Sequence, residues 1–282
     1  MAEASKIEWT DHTFNPWIGC TKVSVGPKGA CVNCYAEVAT PTRAMHIGWG
    51  PGKPRHRTSP ATWAMPMRWE RSAEAFQAEH GRRQRVFCAS LADVFDNEVD
   101  PQWRADLFGV IRQTPNLDWL LLTKRIGNAS TMIKELQEPQ KNWWPLPNVW
   151  LGATVVTQEE VDRDLPRLIA TPARIRFLSC EPLMEEITFQ GRWIDHPNPS
   201  VHENWLERID WVIVGGESGR NPRPMAQQWA EQIRDECAAL GVAFFMKQGS
   251  SANWPAYKDF SRFAPTLQVR EWPALGERNE PA

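Results

Sequence analysis

The sequence predicts an α/β fold, a partial or near-complete TIM-type barrel of parallel strands over residues 1–248, with residues 249–282 as a tail packed on it. Three observations predict this. Short apolar runs recur about every 25 to 35 residues, the length of one strand-plus-helix unit. The runs are apolar almost throughout, as in a parallel sheet covered on both faces. Polar residues follow nearly every run, at the strand ends where such folds place their chemistry.

Taken in order, Thr13 to Gly19 reads as a short first strand, and the loop from Cys20 to Cys34 follows it directly. Tyr35 to Met45 looks helical. Gly48 to Pro66 is rich in Gly, Pro, Arg and Trp and reads as an extended excursion rather than a helix. The rhythm then begins, with strands expected at 85–91, 117–123, 148–154, 174–179, 210–214 and 242–246. Between them, Asp100 caps a helix with Pro101 at its first position, and Leu107, Val110 and Ile111 form its apolar stripe. Thr157 and Glu160 make a capping box for the next helix, which Pro166 ends or kinks. Trp229, Ile233, Cys237 and Leu240 share a face of the last helix, closed by Gly241. Cys88 and Cys237 therefore read as small core residues. Met184 to Arg208 is an insertion before the sixth regular strand.

The chain carries a net charge of −2, which excludes an overall basic, histone-like protein but leaves room for a local basic face. The polar start, Met1 to Phe14, has no apolar core of a signal peptide, and no run reaches the length of a membrane span. The expectation is a cytoplasmic protein without a membrane partner, where thiols stay reduced. Sixteen tryptophans against two tyrosines have no physical account at this level.

Three of the six cysteines, Cys20, Cys31 and Cys34, fall in one loop, and a Cys-x2-Cys pair is a common clip for a soft metal. Four readings follow. A [4Fe–4S] cluster on three cysteines leaves one iron open for chemistry. A zinc ion could take His12 or His46 as a fourth ligand. A disulfide is the third option, and unligated thiols the fourth. At the other strand ends stand Ser90, Asp93, Asp96, Lys124, Thr154, Glu181, Gly215-Gly216-Glu217 and Lys247-Gln248. Asp93, Asp96, Glu181 and Glu217 around divalent ions would suit a hydrolase or nuclease with a structural zinc at the cysteines. A non-catalytic nucleic-acid-binding barrel is a further class.

Residues 43–85 hold nine Lys/Arg against three acids, with no acid between Arg43 and Arg57. Arg43, Lys53, Arg55 and Arg57, interleaved with Trp49, are the expected nucleic-acid-binding residues, since cations track phosphates and aromatics stack bases.

The cysteine loop, Leu121-Leu122-Thr123-Lys124-Arg125, Phe177-Leu178-Ser179-Cys180-Glu181-Pro182-Leu183 and Trp211-Val212-Ile213-Val214-Gly215-Gly216-Glu217-Ser218-Gly219 together resemble the phage Gp37/Gp68-like family, which is similar to radical S-adenosylmethionine (SAM) enzymes. Thr58 to Trp63 and Pro66 to Trp69 share the resemblance, which runs from about Trp9 to Gln248. It implies a barrel of the radical SAM type and a [4Fe–4S] cluster on Cys20, Cys31 and Cys34. It also implies SAM on the open iron, cleaved by electron transfer to a radical that abstracts hydrogen from a substrate. It further implies an electron donor such as flavodoxin or ferredoxin. Ser90, Asp93, Lys124, Thr154 and Glu181 are the expected SAM-binding positions, with Lys124 for the methionine carboxylate and Asp93 as an acceptor. The substrate expected is a nucleic acid or nucleotide, repaired or modified. Three features depart from the usual pattern: ten residues separate Cys20 from Cys31, Asn33 replaces an aromatic before the third cysteine, and Gly-Gly-Glu follows the sixth strand. The amino-group role of that motif is therefore not carried over to Glu217.

Overall fold

The computed structural model describes residues 5–137, 143–192, 198, 200–219, 221–250 and 259–274. The chain opens with β1 (His12–Thr13) and β2 (Trp17–Ile18), then α1 (Thr40–Ala44), β3 (His56–Arg57), α2 (Pro60–Trp63), α3 (Met65–Arg71) and α4 (Ala73–His80). The regular part follows: β4 (Gln84–Cys88), α5 (Pro101–Gln113), β5 (Leu117–Thr123), α6 (Ile126–Gln137), β6 (Val149–Thr154), α7 (Gln158–Ile169) and β7 (Ile175–Cys180). A hairpin of β8 (Gln190–Arg192) and β9 (His202–Asn204) precedes β10 (Trp211–Gly215), α8 (Gln227–Leu240) and β11 (Ala243–Gln248).

Seven strands form one parallel sheet in the order β1-β4-β5-β6-β7-β10-β11. Apart from the insertion hairpin, each strand lies beside its predecessor in the chain, so the sheet winds in one direction and makes a partial barrel. The period-2 alternation of the strands sorts side chains into two cores. Val86, Cys88, Trp119, Leu121, Leu151, Leu178, Val212, Val214 and Phe244 face the helices, packing with Leu107, Ile133, Leu165 and Ile233. Phe87, Leu120, Trp150, Ile175, Phe177, Trp211, Ile213 and Phe245 form the other face with Trp9. Gly152 is required there, because a β-carbon would stand 2.4 Å from the Phe177 ring.

Several expectations change. The first strand divides in two: β1 joins the sheet, whereas β2 turns to pair antiparallel with β3. Pro16 lies between them and has no N–H to continue a ladder. The run from Tyr35 is helical only over α1. The excursion is not wholly extended, because Ser59 caps α2 with Pro60 in its first turn and Pro66 sits in the first turn of α3. Prolines that read as breakers are helix starters here. Pro166 does not end α7, which continues to Ile169. Of the tail, Phe263 and Leu267 are buried against the helix-side core, and Trp272 packs beside Phe245. The remainder of that segment, 251–258 and 275–282, lies outside the described residues. No helix among the described residues is long and apolar enough to cross a membrane.

Candidate functional site

The alternation that buries Phe87, Trp150, Ile175 and Phe245 carries the same face upward to the carboxyl ends of the strands. There it presents Lys124 after β5, Thr154 on β6, Ser179 on β7, Glu181 after β7 and Lys247 on β11. With the cysteine loop they surround a cavity of about 290 Å³. Cys20, Cys31 and Cys34 border it, as do Ser90, Asp93, Lys124, Thr154 and Glu181. The expected metal and cofactor residues, drawn from five separate segments, thus line one space.

The loop is held in place by buried polar contacts. The Ser24 hydroxyl donates to Glu160 (2.5 Å) and accepts from the Ala30 amide (2.7 Å). Glu160, expected to close a capping box, accepts instead from the Val156 amide and from Ser24. Gly29 passes so close to the Ser24 carbonyl that a β-carbon would lie 2.4 Å from it. Arg223 donates to the carbonyls of Pro27 (2.8 Å) and Gly29 (3.1 Å), and its guanidinium pairs with Glu217. Glu217 also accepts from Asn33 (2.9 Å). Burial pushes the Glu217 carboxyl up, but the hydrogen bonds from Arg223 and Asn33 outweigh it and hold it below the ordinary range. Glu217 is a clamp on the cysteine loop. Val23, Val25, Val32 and Tyr35 are exposed, and Val23 and Tyr35 of these border the cavity.

On the other flank, Arg125 donates to the Thr21 carbonyl (2.6 Å) and stands 3.7 Å from the Cys20 sulfur. Burial pushes the Cys20 thiol up to about 12, and the Asp93 carboxylate adds to this, while Arg125 pulls the other way. A cationic centre is therefore what would bring this thiol to its thiolate form. None of the six cysteines is in a disulfide. As the side chains stand, no group of three or more His, Cys, Asp or Glu among the described residues forms a metal-ligating set.

Asp93 is buried and accepts from the Phe95 amide (2.9 Å), the Thr123 hydroxyl (2.7 Å) and the Lys124 amide (3.0 Å). A carboxylate offers about four acceptor positions, so Asp93 keeps about one for a ligand. Lys124 places its ammonium 3.5 Å from the Thr154 hydroxyl, and no ion pair with a carboxylate is found for it among the described residues. Glu181 is bound by Lys247 through both oxygens (2.6 and 2.7 Å). Ser90 accepts from Asn15 (3.0 Å), a buried residue the sequence reading passed over.

Asp96 is fully buried and paired with Arg55, Glu217 with Arg223, and Glu181 with Lys247. Three of the four carboxylates expected around divalent ions are thus neutralised by protein cations, and Asp96 does not reach the cavity. His12, offered as a zinc ligand, bonds Gln84 (2.7 Å), stacks on Trp69 and does not border the cavity; neither does His46. Arg55, expected on a nucleic-acid face, is 7 % exposed, and spends its donors on Asp96, Thr21 and the Gly50 and Lys53 carbonyls. Arg57 pairs with Asp106 (2.7 Å) and lies over the Trp63 ring (4.2 Å). Of the four, Arg43 and Lys53 remain exposed.

Sequence reasoning missed Arg223 and the Asn33 contact, which lie in aperiodic loops, and gave Lys247 no role. Lys247, already placed at a strand end, shares the phase of Phe245, which turns it to the cavity. Tyr35 and Trp49 also border the cavity.

No curated protein and no solved structure matches the chain. A family model matches residues 4–272, nearly its whole length, and the chain belongs to that family, DUF5131, described as proteins of unknown function.

Proposed function

We propose that this chain is a radical SAM enzyme whose Cys20, Cys31 and Cys34 hold a [4Fe–4S] cluster. One observation carries the reading: three thiols from a single loop and five polar residues from the strand ends line the same cavity of a singly wound parallel sheet. The donor set suits the group, since three sulfurs without a fourth protein ligand leave one coordination position open. When bound, the cluster supplies an electron that cleaves SAM and so generates the radical that abstracts hydrogen from a substrate.

The chain's own residues prepare that chemistry. Lys124, a half-buried cation without a carboxylate partner among the described residues, holds the methionine carboxylate of SAM. Asp93 fixes the Lys124 backbone and keeps an acceptor position for a hydroxyl or amino group. Thr154 orients the Lys124 ammonium, and the Glu181–Lys247 pair gives the cavity wall a dipole without net charge. The clamp of Glu217 and Arg223 holds the cysteine loop at the cavity.

The proposed substrate is a nucleic acid or nucleotide. Tyr35 and Trp49 at the cavity, with Arg43 and Lys53 exposed nearby in sequence, support it. A small one-electron protein such as flavodoxin or ferredoxin is the proposed donor, and the cytoplasm the proposed location. Calorimetry with SAM on the anaerobically reconstituted protein tests the assignment. Micromolar binding supports it, and no heat of binding at millimolar SAM rejects it.

A further inference from the structure

We infer that Arg125 is a positioning residue for the cysteine centre and tunes its reduction potential. This rests on the reading of Cys20, Cys31 and Cys34 as cluster ligands. Arg125 leaves the end of β5, where Thr123 accepts from its backbone amide (2.8 Å) and so fixes the turn. Its Nη2 is tied to the Thr21 carbonyl (2.6 Å) and approaches both the Cys20 sulfur (3.7 Å) and the Asp96 carboxylate (3.8 Å). Asp96 is in turn locked by Arg55 (2.7 Å), whose other donors hold Thr21 and the Gly50 and Lys53 carbonyls.

The guanidinium is therefore not a loose surface cation. Its side chain is 8 % exposed, and its position is set by contacts on both sides. Its Nε–H is buried with no hydrogen-bond partner among the described residues, an expensive arrangement unless an acceptor arrives. A sulfur centre beside Cys20 supplies acceptors of the right kind. Positive charge and N–H donors at cluster sulfurs favour the reduced form and raise the potential. Cys31 and Cys34 receive no comparable contact from Arg125, so the three ligands are not equivalent.

The test compares reconstituted wild type, Arg125→Met and Arg125→Lys, each assayed for iron and sulfide and titrated to its midpoint potential. Arg125→Met at wild-type iron content with a more negative midpoint, and Arg125→Lys between the two, supports the inference. Equal midpoints in all three at equal iron content overturn it. If Arg125→Met loses iron, Arg125→Lys decides. A negative shift there supports a tuning role, and a wild-type midpoint reduces Arg125 to a structural tie. Absence of iron and sulfide from the wild type is a different failure, which removes the cluster reading itself and the inference with it.

Discussion

Asn33 donates a 2.9 Å hydrogen bond to Glu217, joining the cysteine loop to the segment that follows the sixth strand of the sheet. The contact ties two segments that are 184 residues apart in the chain. Asn33 lies between Val32 and Cys34 in the loop, and Glu217 follows Gly215-Gly216 at the end of β10. Together they form one clamp, completed by Arg223.

Glu217→Gln keeps the shape and removes the charge. It is expected to lower unfolding stability by about 2 kcal/mol, since a mostly buried charge-assisted hydrogen bond is lost. Because the folded carboxyl is held below the ordinary value of 4.5, its contribution is full above that pH and fades as acid protonates it. The wild type should lose its advantage over Glu217→Gln on acidification below about 4.5. Parallel denaturation curves from pH 7 to pH 3 check this, and an advantage that persists unchanged refutes the clamp.

The cysteines should divide into two sets. Cys31→Ala and Cys34→Ala are expected to lose most iron after reconstitution. Cys88→Ala, Cys180→Ala and Cys237→Ala, all within the apolar core, should retain it and lose about 1 kcal/mol of stability each. Iron assays and urea unfolding read the two outcomes separately.

For SAM, Lys124→Met removes the cation while keeping the stem. Binding should weaken at least about tenfold, equivalent to 1.4 kcal/mol, without loss of iron. Equal affinity in calorimetry would assign the carboxylate to another group.

The basic segment makes an unequal prediction. Arg55→Met removes the closest ion-pair partner of the buried Asp96, leaving Arg125 at 3.8 Å, and should cost about 3 to 5 kcal/mol. The double variant Arg43→Glu with Lys53→Glu changes exposed residues and should fold normally. It should weaken single-stranded nucleic acid binding and lower the salt slope by about 1 to 2. Unchanged binding in the double variant would turn the substrate search toward small molecules.

The strand ends were legible because short, nearly continuous apolar runs stop at polar residues, which marks the carboxyl rim of a parallel sheet. That places Lys124, Thr154 and Glu181 on the cavity without any knowledge of contacts. Arg55 was misread for the opposite reason. Composition records a cation but not its burial, and nothing near it in sequence announces Asp96, 41 residues away. Arg223 and Asn33 escaped because their partners come from distant segments, so no local period exists to detect. The two short helices after Ser59 were hidden by prolines, which break a helix in its interior but start one at its first turn.

The proposed [4Fe–4S] cluster on the three-cysteine loop, beside the proposed SAM site, has a direct chemical signature. Iron and sulfide content of the anaerobically reconstituted full chain, read beside its visible absorption, tests it most directly. About four iron and four sulfide per chain with broad visible absorption, both lost in Cys31→Ala, are expected. A colourless protein holding one zinc, or no metal retained by the cysteines, would contradict it.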